Sequence, residues 1–89
     1  MTANQNIRVN IIWLRKQHNL SQQQLADLIQ IKRSLLAAWE EGRSVPQYDD
    51  LIAISDYFNI AVDEILRFEL KKCYSRQVML LPKLTIEIK

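Results

Sequence analysis

The sequence predicts a mainly α domain of five short helices, followed by a short C-terminal β-strand or hairpin extension. Three observations predict it. Apolar residues recur every three or four positions in successive short blocks, which is the period of a helix with one buried face. Polar and turn-forming residues such as "NLS", "EGRSVP" and "FNIA" separate those blocks. Beyond residue 82 the pattern changes to strict alternation in "KLTIEIK", the period of a half-buried strand. The chain therefore divides into a helical domain over residues 1–68 and an extension over 69–89 that forms strand and dimerises.

Length and composition narrow the classes of function. With 89 residues, 48% hydrophobic and 25% charged, the chain fits one small soluble domain, too small to combine a stable core with a large catalytic pocket. A single cysteine, Cys73, excludes an intrachain disulfide. The opening "MTANQNIRVN" lacks the basic head and apolar run of a signal peptide, and no apolar stretch reaches bilayer-spanning length, so a cytoplasmic location is expected. The net charge of +2 is unevenly spread. Residues 1–44 carry six basic and three acidic side chains, residues 45–68 one and five, and residues 69–89 five and two. One basic side and one acidic side suit a protein that meets a polyanion.

Each helix has its own signals. Ile7, Ile11 and Leu14 define a first helix over about Gln5 to His18, and Asn19 stops it because asparagine tolerates the left-handed conformation. Ser21 is a good N-cap, Gln24 completes a capping box, and Leu20 staples onto Leu25. The second helix turns Leu25, Leu28 and Ile29 inward and breaks near Gln30; the third buries Leu35, Leu36 and Trp39 and ends at Gly42. Leu51, Ile52, Ile54, Ser55 and Phe58 make a fourth helix, and "AVDEILRF" a short fifth after Asn59.

The order Leu20, Ser21, Gln22, Leu25, Ala26, Ile29, Ile31, Leu36, Trp39, Glu40, Gly42 and Pro46, followed by "LIAISDYFNIAVDEIL", resembles the phage-repressor and Cro type of helix-turn-helix, the XRE family. The resemblance covers about Ile7 to Leu66. It implies a five-helix, lambda-repressor-like domain whose third helix, about Arg33 to Glu40, enters the major groove of double-stranded DNA. In that register the outward side of the third helix holds Lys32, Arg33, Ser34, Ala37 and Ala38 as base contacts, with Glu41 beside them. Arg33 is the best reader, since its planar fork matches a guanine edge. Ala37 and Ala38 either make groove contacts, meeting thymine methyls and letting the helix sit deeper, or are mere spacers in the helix. The family also implies phosphate contacts at Gln22, Arg43 and Ser44, and a structural pair between Arg15 and Glu40.

Some residues depart from the family pattern. Gln30 occupies a turn position where glycine is usual, Lys32, Gln47 and Ala61 replace the usual caps, and Val9, Ile12 and Trp13 are apolar where the family is polar. Leu84, Ile86 and Ile88 line one side of the alternating tail. Two arrangements cover both patches: a homodimer joined through the tails, with Val9 and Trp13 in the interface, or a tail folded back on its own domain. The predicted function is a homodimeric repressor that recognises a specific DNA sequence. The alternatives are an antitoxin whose tail binds a toxin, and a reuse of the fold for protein binding. Catalysis, metals and cofactors are not predicted: His18 and Cys73 are single, no acidic cluster has ligand spacing with them, and Asp49 and Asp50 suit a helix start.

Overall fold

The computed structural model describes residues 2–72. Five helices run in order: α1 (Ala3–Gln17), α2 (Gln22–Leu28), α3 (Arg33–Glu41), α4 (Tyr48–Phe58) and α5 (Val62–Arg67). Residues 70–72 are also helical. No strand occurs among the described residues. The expected strand or hairpin, with Leu84, Ile86 and Ile88, lies outside them, as does Cys73.

Helix α1 begins at Ala3, earlier than periodicity indicates, because Thr2 and Gln5 form a capping box. Its buried stripe of Ile7, Ile11 and Leu14 packs with Leu25, Leu36, Trp39, Ile54 and Ile65 in a single core. Helix α1 packs against α3 and α5, α2 against α3, and α4 against α5. The start of α2 is the expected one, with Ser21 Oγ accepting from the Gln24 N–H and the Gln24 side chain accepting from the Ser21 N–H. The starts of α4 and α5 make only half of such a box. Asp50 accepts from the Gln47 N–H and Glu64 from the Ala61 N–H.

Four helix ends are closed the same way. Asn19, Gln30, Gly42 and Asn59 all have positive φ. At each, the following N–H reaches back five residues: Leu20 to the Arg15 carbonyl, Ile31 to Ala26, Arg43 to Ala38 and Ile60 to Ser55. These bonds satisfy carbonyls that the helix itself leaves open. Only one of the four positions is glycine.

Two asparagines of α1 are built into the fold, and periodicity alone misses them. Asn10 is fully buried; its amide donates to the Ile65 and Phe68 carbonyls, and its oxygen accepts from the Leu70 N–H. Asn6 donates to the Leu66 carbonyl. Together they cap the C-terminal end of α5 from the side. They also hold Leu70 in the core at 2% exposure, so the packed unit reaches past residue 68.

Two inward assignments are corrected. Leu28 is 48% and Leu35 38% exposed, whereas Ala37 and Ala38 are buried. Helix α3 is hemmed in by α1, α2 and its own following loop, so its buried surface is wider than a single stripe and the exposed side rotates toward Leu35. Val9, Ile12 and Trp13 are half-buried, Trp13 against the edge of the core.

Gln30 sits in the left-handed region at φ 62°, which costs a residue with a Cβ about 1–2 kcal/mol. Glycine removes that cost and returns about 0.5–1 kcal/mol through its greater unfolded-state freedom. Gln30→Gly is therefore expected to raise stability by up to about 1 kcal/mol, a rise in Tm of roughly 4–8 °C at most. Thermal unfolding followed by circular dichroism checks this, and an unchanged or lower Tm counts against a strained turn.

Candidate nucleic-acid interface

The surface around the α2–α3 turn rests on a buried ion pair. Arg15 Nε lies 2.6 Å from Glu40 Oε2 and its Nη2 lies 2.9 Å from Oε1, a two-pronged contact between side chains only 13% and 6% exposed. The remaining prong, Nη1, donates to the Leu20 carbonyl at 2.9 Å. Helix α1, the turn before α2 and the end of α3 are thereby tied at one guanidinium.

From Glu40 the polar contacts continue outward. Gln22 Nε2 donates to Glu40 Oε1 at 2.9 Å, and Gln22 Oε1 accepts from Arg33 Nη1 at 3.0 Å. The first residue of α2 thus bridges the two ends of α3. Arg33, Ala37 and Glu40 lie on one helical stripe, spaced four and three apart. Gln22 is bonded to the outer two, and Ala37 between them is only 8% exposed. Ala38, also 8% exposed, is covered by the loop whose Arg43 N–H bonds its carbonyl at 2.9 Å.

The predicted contact residues are therefore not all alike. Lys32, Arg33 and Ser34 are exposed together at the start of α3. Ala37 and Ala38, expected on the open side, are instead buried, and the spacer alternative fits them better than base contact. Gln22 is half-buried with one amide N–H committed to Glu40, which leaves one for a phosphate. Arg43 is exposed and paired with Glu41 at 2.7 Å, an exposed contact that contributes little and yields readily to a stronger anion. The Ser44 hydroxyl is turned inward and buried, because the Ser44 N–H also points back to the Ala38 carbonyl, at 3.4 Å. It faces inward rather than onto the outer side of the loop, where the sequence reading places it. Sequence reasoning misses Leu35, which shares the exposed side of α3 with Arg33 and Ser34.

His18 follows α1; its Nδ1 lies 3.0 Å from the Leu14 carbonyl, and its ring meets Phe58 edge-on. Asp49 and Asp50 occupy the first turn of α4. Among the described residues no group of three or more His, Cys, Asp or Glu side chains is placed to hold a metal ion. No helix among them is long and apolar enough to cross a membrane.

The sequence pattern of the helix-turn-helix family matches residues 11–65, more than half of the chain. The chain belongs to the XRE-type helix-turn-helix family. This helix-turn-helix protein is 38% identical over 56 residues to the HTH-type transcriptional activator BcrR of Enterococcus faecalis, covering 63% of the chain and 28% of BcrR. It is 38% identical over 60 residues to the uncharacterized HTH-type transcriptional regulator YqaE of Bacillus subtilis, covering 67% of the chain and 52% of YqaE. It is also 39% identical over 59 residues to the HTH-type transcriptional regulator AnsR of the same organism, covering 66% and 51%. The chain thus spans about half the length of two of these relatives and little more than a quarter of the other. No solved structure matches the chain.

Glu40→Ala leaves the Arg15 guanidinium buried without its partner and also releases Gln22. A loss of about 3–5 kcal/mol is expected, enough to unfold much of a small domain. Replacing both charges, Arg15→Met with Glu40→Leu, should recover most of that loss. Urea unfolding of the wild type, the single and the double variant makes the comparison; equal stability of the single and double variants counts against an uncompensated charge as the cause.

Proposed function

We propose that the chain is a sequence-specific DNA-binding transcriptional regulator, a homodimeric repressor that sets α3 into the major groove. The observation that carries this reading is the group Lys32, Arg33 and Ser34, exposed at the start of α3 with Arg33 tethered to the start of α2. A tethered arginine loses less freedom when it meets a guanine edge, and it holds a fixed relation to Gln22, where a phosphate meets the N-terminus of α2. Arg43 supplies a further phosphate contact after exchanging Glu41 for the DNA backbone. Leu35 is available to a thymine methyl. The named roles of BcrR and AnsR support the regulatory reading. Repression needs nothing more than occupancy of an operator.

Selection from random duplexes with the purified protein is expected to yield a defined site. Affinity for it should fall steeply with salt as phosphate neutralisation releases counterions. Arg33→Ala should cost about 1–3 kcal/mol at that site and relax preference at one base pair. Arg43→Ala should weaken all sequences about equally. If both variants bind the selected site like the wild type, the proposed docking is wrong.

Dimerisation is proposed through the alternating tail, since Leu84, Ile86 and Ile88 give one apolar edge and paired edges are more stable than single ones. Two copies of α3 then read a near-palindrome with half-sites about 10 base pairs apart. Deleting residues 76–89 should leave a folded monomer in sedimentation, with DNA affinity reduced at least about 100-fold by lost effective concentration. A truncated protein that stays dimeric and binds normally would assign the tail to a different partner, and the antitoxin reading would then take precedence.

A further inference from the structure

A cleft of about 420 Å³ opens between the N-terminal half of α1 and the loop that follows α3. Its walls include Ile7 and Arg8 on one side, Arg43, Ser44 and Val45 on the other, and Trp39. Two observations single it out. The Trp39 indole Nε1 and the Ser44 Oγ are buried side-chain polar atoms without a hydrogen-bond partner among the described residues, and both residues line this cleft. Native interiors rarely leave such groups unpaired, and an unpaired donor beside a cleft is an unused binding group. The second observation is charge. Arg8 lies across the loop, so close that a Cβ on Gly42 would stand 3.4 Å from its Cδ, and it has no hydrogen bond or ion pair to a described residue. No acidic residue lines the cleft. Glu41, the last residue of α3, is paired with Arg43, both side chains exposed.

We propose that this cleft binds a small oxyanion, a phosphate or carboxylate group, with Arg8 supplying the charge and Trp39 and Ser44 the neutral donors. The indole donates and cannot accept, and the guanidinium only donates, so the site selects a ligand rich in acceptors. Water can satisfy the two neutral groups but gives the Arg8 charge no counterpart. Ile7, Val45 and the indole ring provide an apolar wall, which suits an anion carrying a compact organic body. The cleft touches both Trp39 of α3 and the Arg43 loop, so occupancy acts on the same elements proposed to hold DNA. The binding itself is independent of that reading and is measured on the protein alone.

The test uses the full chain labelled with nitrogen-15, whose two tryptophans give two indole N–H signals, assigned with Trp13→Phe. Inorganic phosphate, titrated against sodium chloride at matched ionic strength, is expected to shift the Trp39 indole signal saturably and to leave that of Trp13 in place. Arg8→Gln should weaken the apparent affinity by about tenfold, and Ser44→Ala should weaken it without unfolding the domain. An absence of a saturable shift with phosphate, with acetate and with duplex DNA would overturn the proposal. A shift that chloride reproduces or that survives Arg8→Gln unchanged would also overturn it. Duplex DNA distinguishes the sources of the anion. If DNA alone moves the Trp39 signal and excludes phosphate, the oxyanion is a backbone phosphate; if phosphate still binds the DNA complex, it belongs to a free ligand.

Discussion

The architecture around α3 depends on one buried guanidinium. Arg15 meets both oxygens of Glu40 and the Leu20 carbonyl, so a single rigid group fixes the end of α3, the body of α1 and the turn that leads into α2. Burying the pair costs desolvation, so the net stability it adds over apolar residues of similar volume is small. Its value lies in geometry. A guanidinium fork accepts its partners in one plane and at set angles, which an apolar contact does not demand. Gln22 and Arg33 then inherit that alignment through Glu40, and the exposed polar surface becomes an extension of the core rather than a set of independent side chains.

Much of this is legible in the sequence, and the illegible parts have physical causes. The start of α2 is written locally, because Ser21 and Gln24 satisfy each other's backbone N–H groups within four residues. Asn19 and Asn59 announce their turns by the same local logic. Helix α3 is harder. A period of 3.6 identifies one buried stripe, whereas a two-turn helix touching α1, α2 and its own loop is covered from several directions. Leu35 therefore ends outside while Ala37 and Ala38 end inside. Asn6 and Asn10 are hidden for the opposite reason. Their partners are backbone carbonyls about sixty residues away, and nothing local distinguishes such an asparagine from a solvated one. The available clue is that Asn10 falls on the Ile7, Ile11 and Leu14 stripe, where a polar residue requires a partner.

The candidate site divides in the same manner. Lys32, Arg33 and Ser34 are found by register alone, since they start a helix and nothing folds over them. Ser44 is not, because its direction is set by two N–H groups closing on the Ala38 carbonyl after the left-handed Gly42. The consequence extends past that residue. The hydroxyl that a linear reading gives to DNA is the one that, with the Trp39 indole, furnishes the cleft behind the loop.

The Asn10 clamp also bears on how the chain is made. A ribosome delivers α1 first, with a buried-type amide whose partners at Ile65, Phe68 and Leu70 do not yet exist. At about 5–20 residues per second, the 55 residues separating Asn10 from Ile65 take roughly 3–11 s to add. During that interval α1 has α3 to pack against, while the side of α1 that meets α5 stays uncovered. The Asn10 amide therefore keeps water as its partner until α5 and the residues just after it have been added.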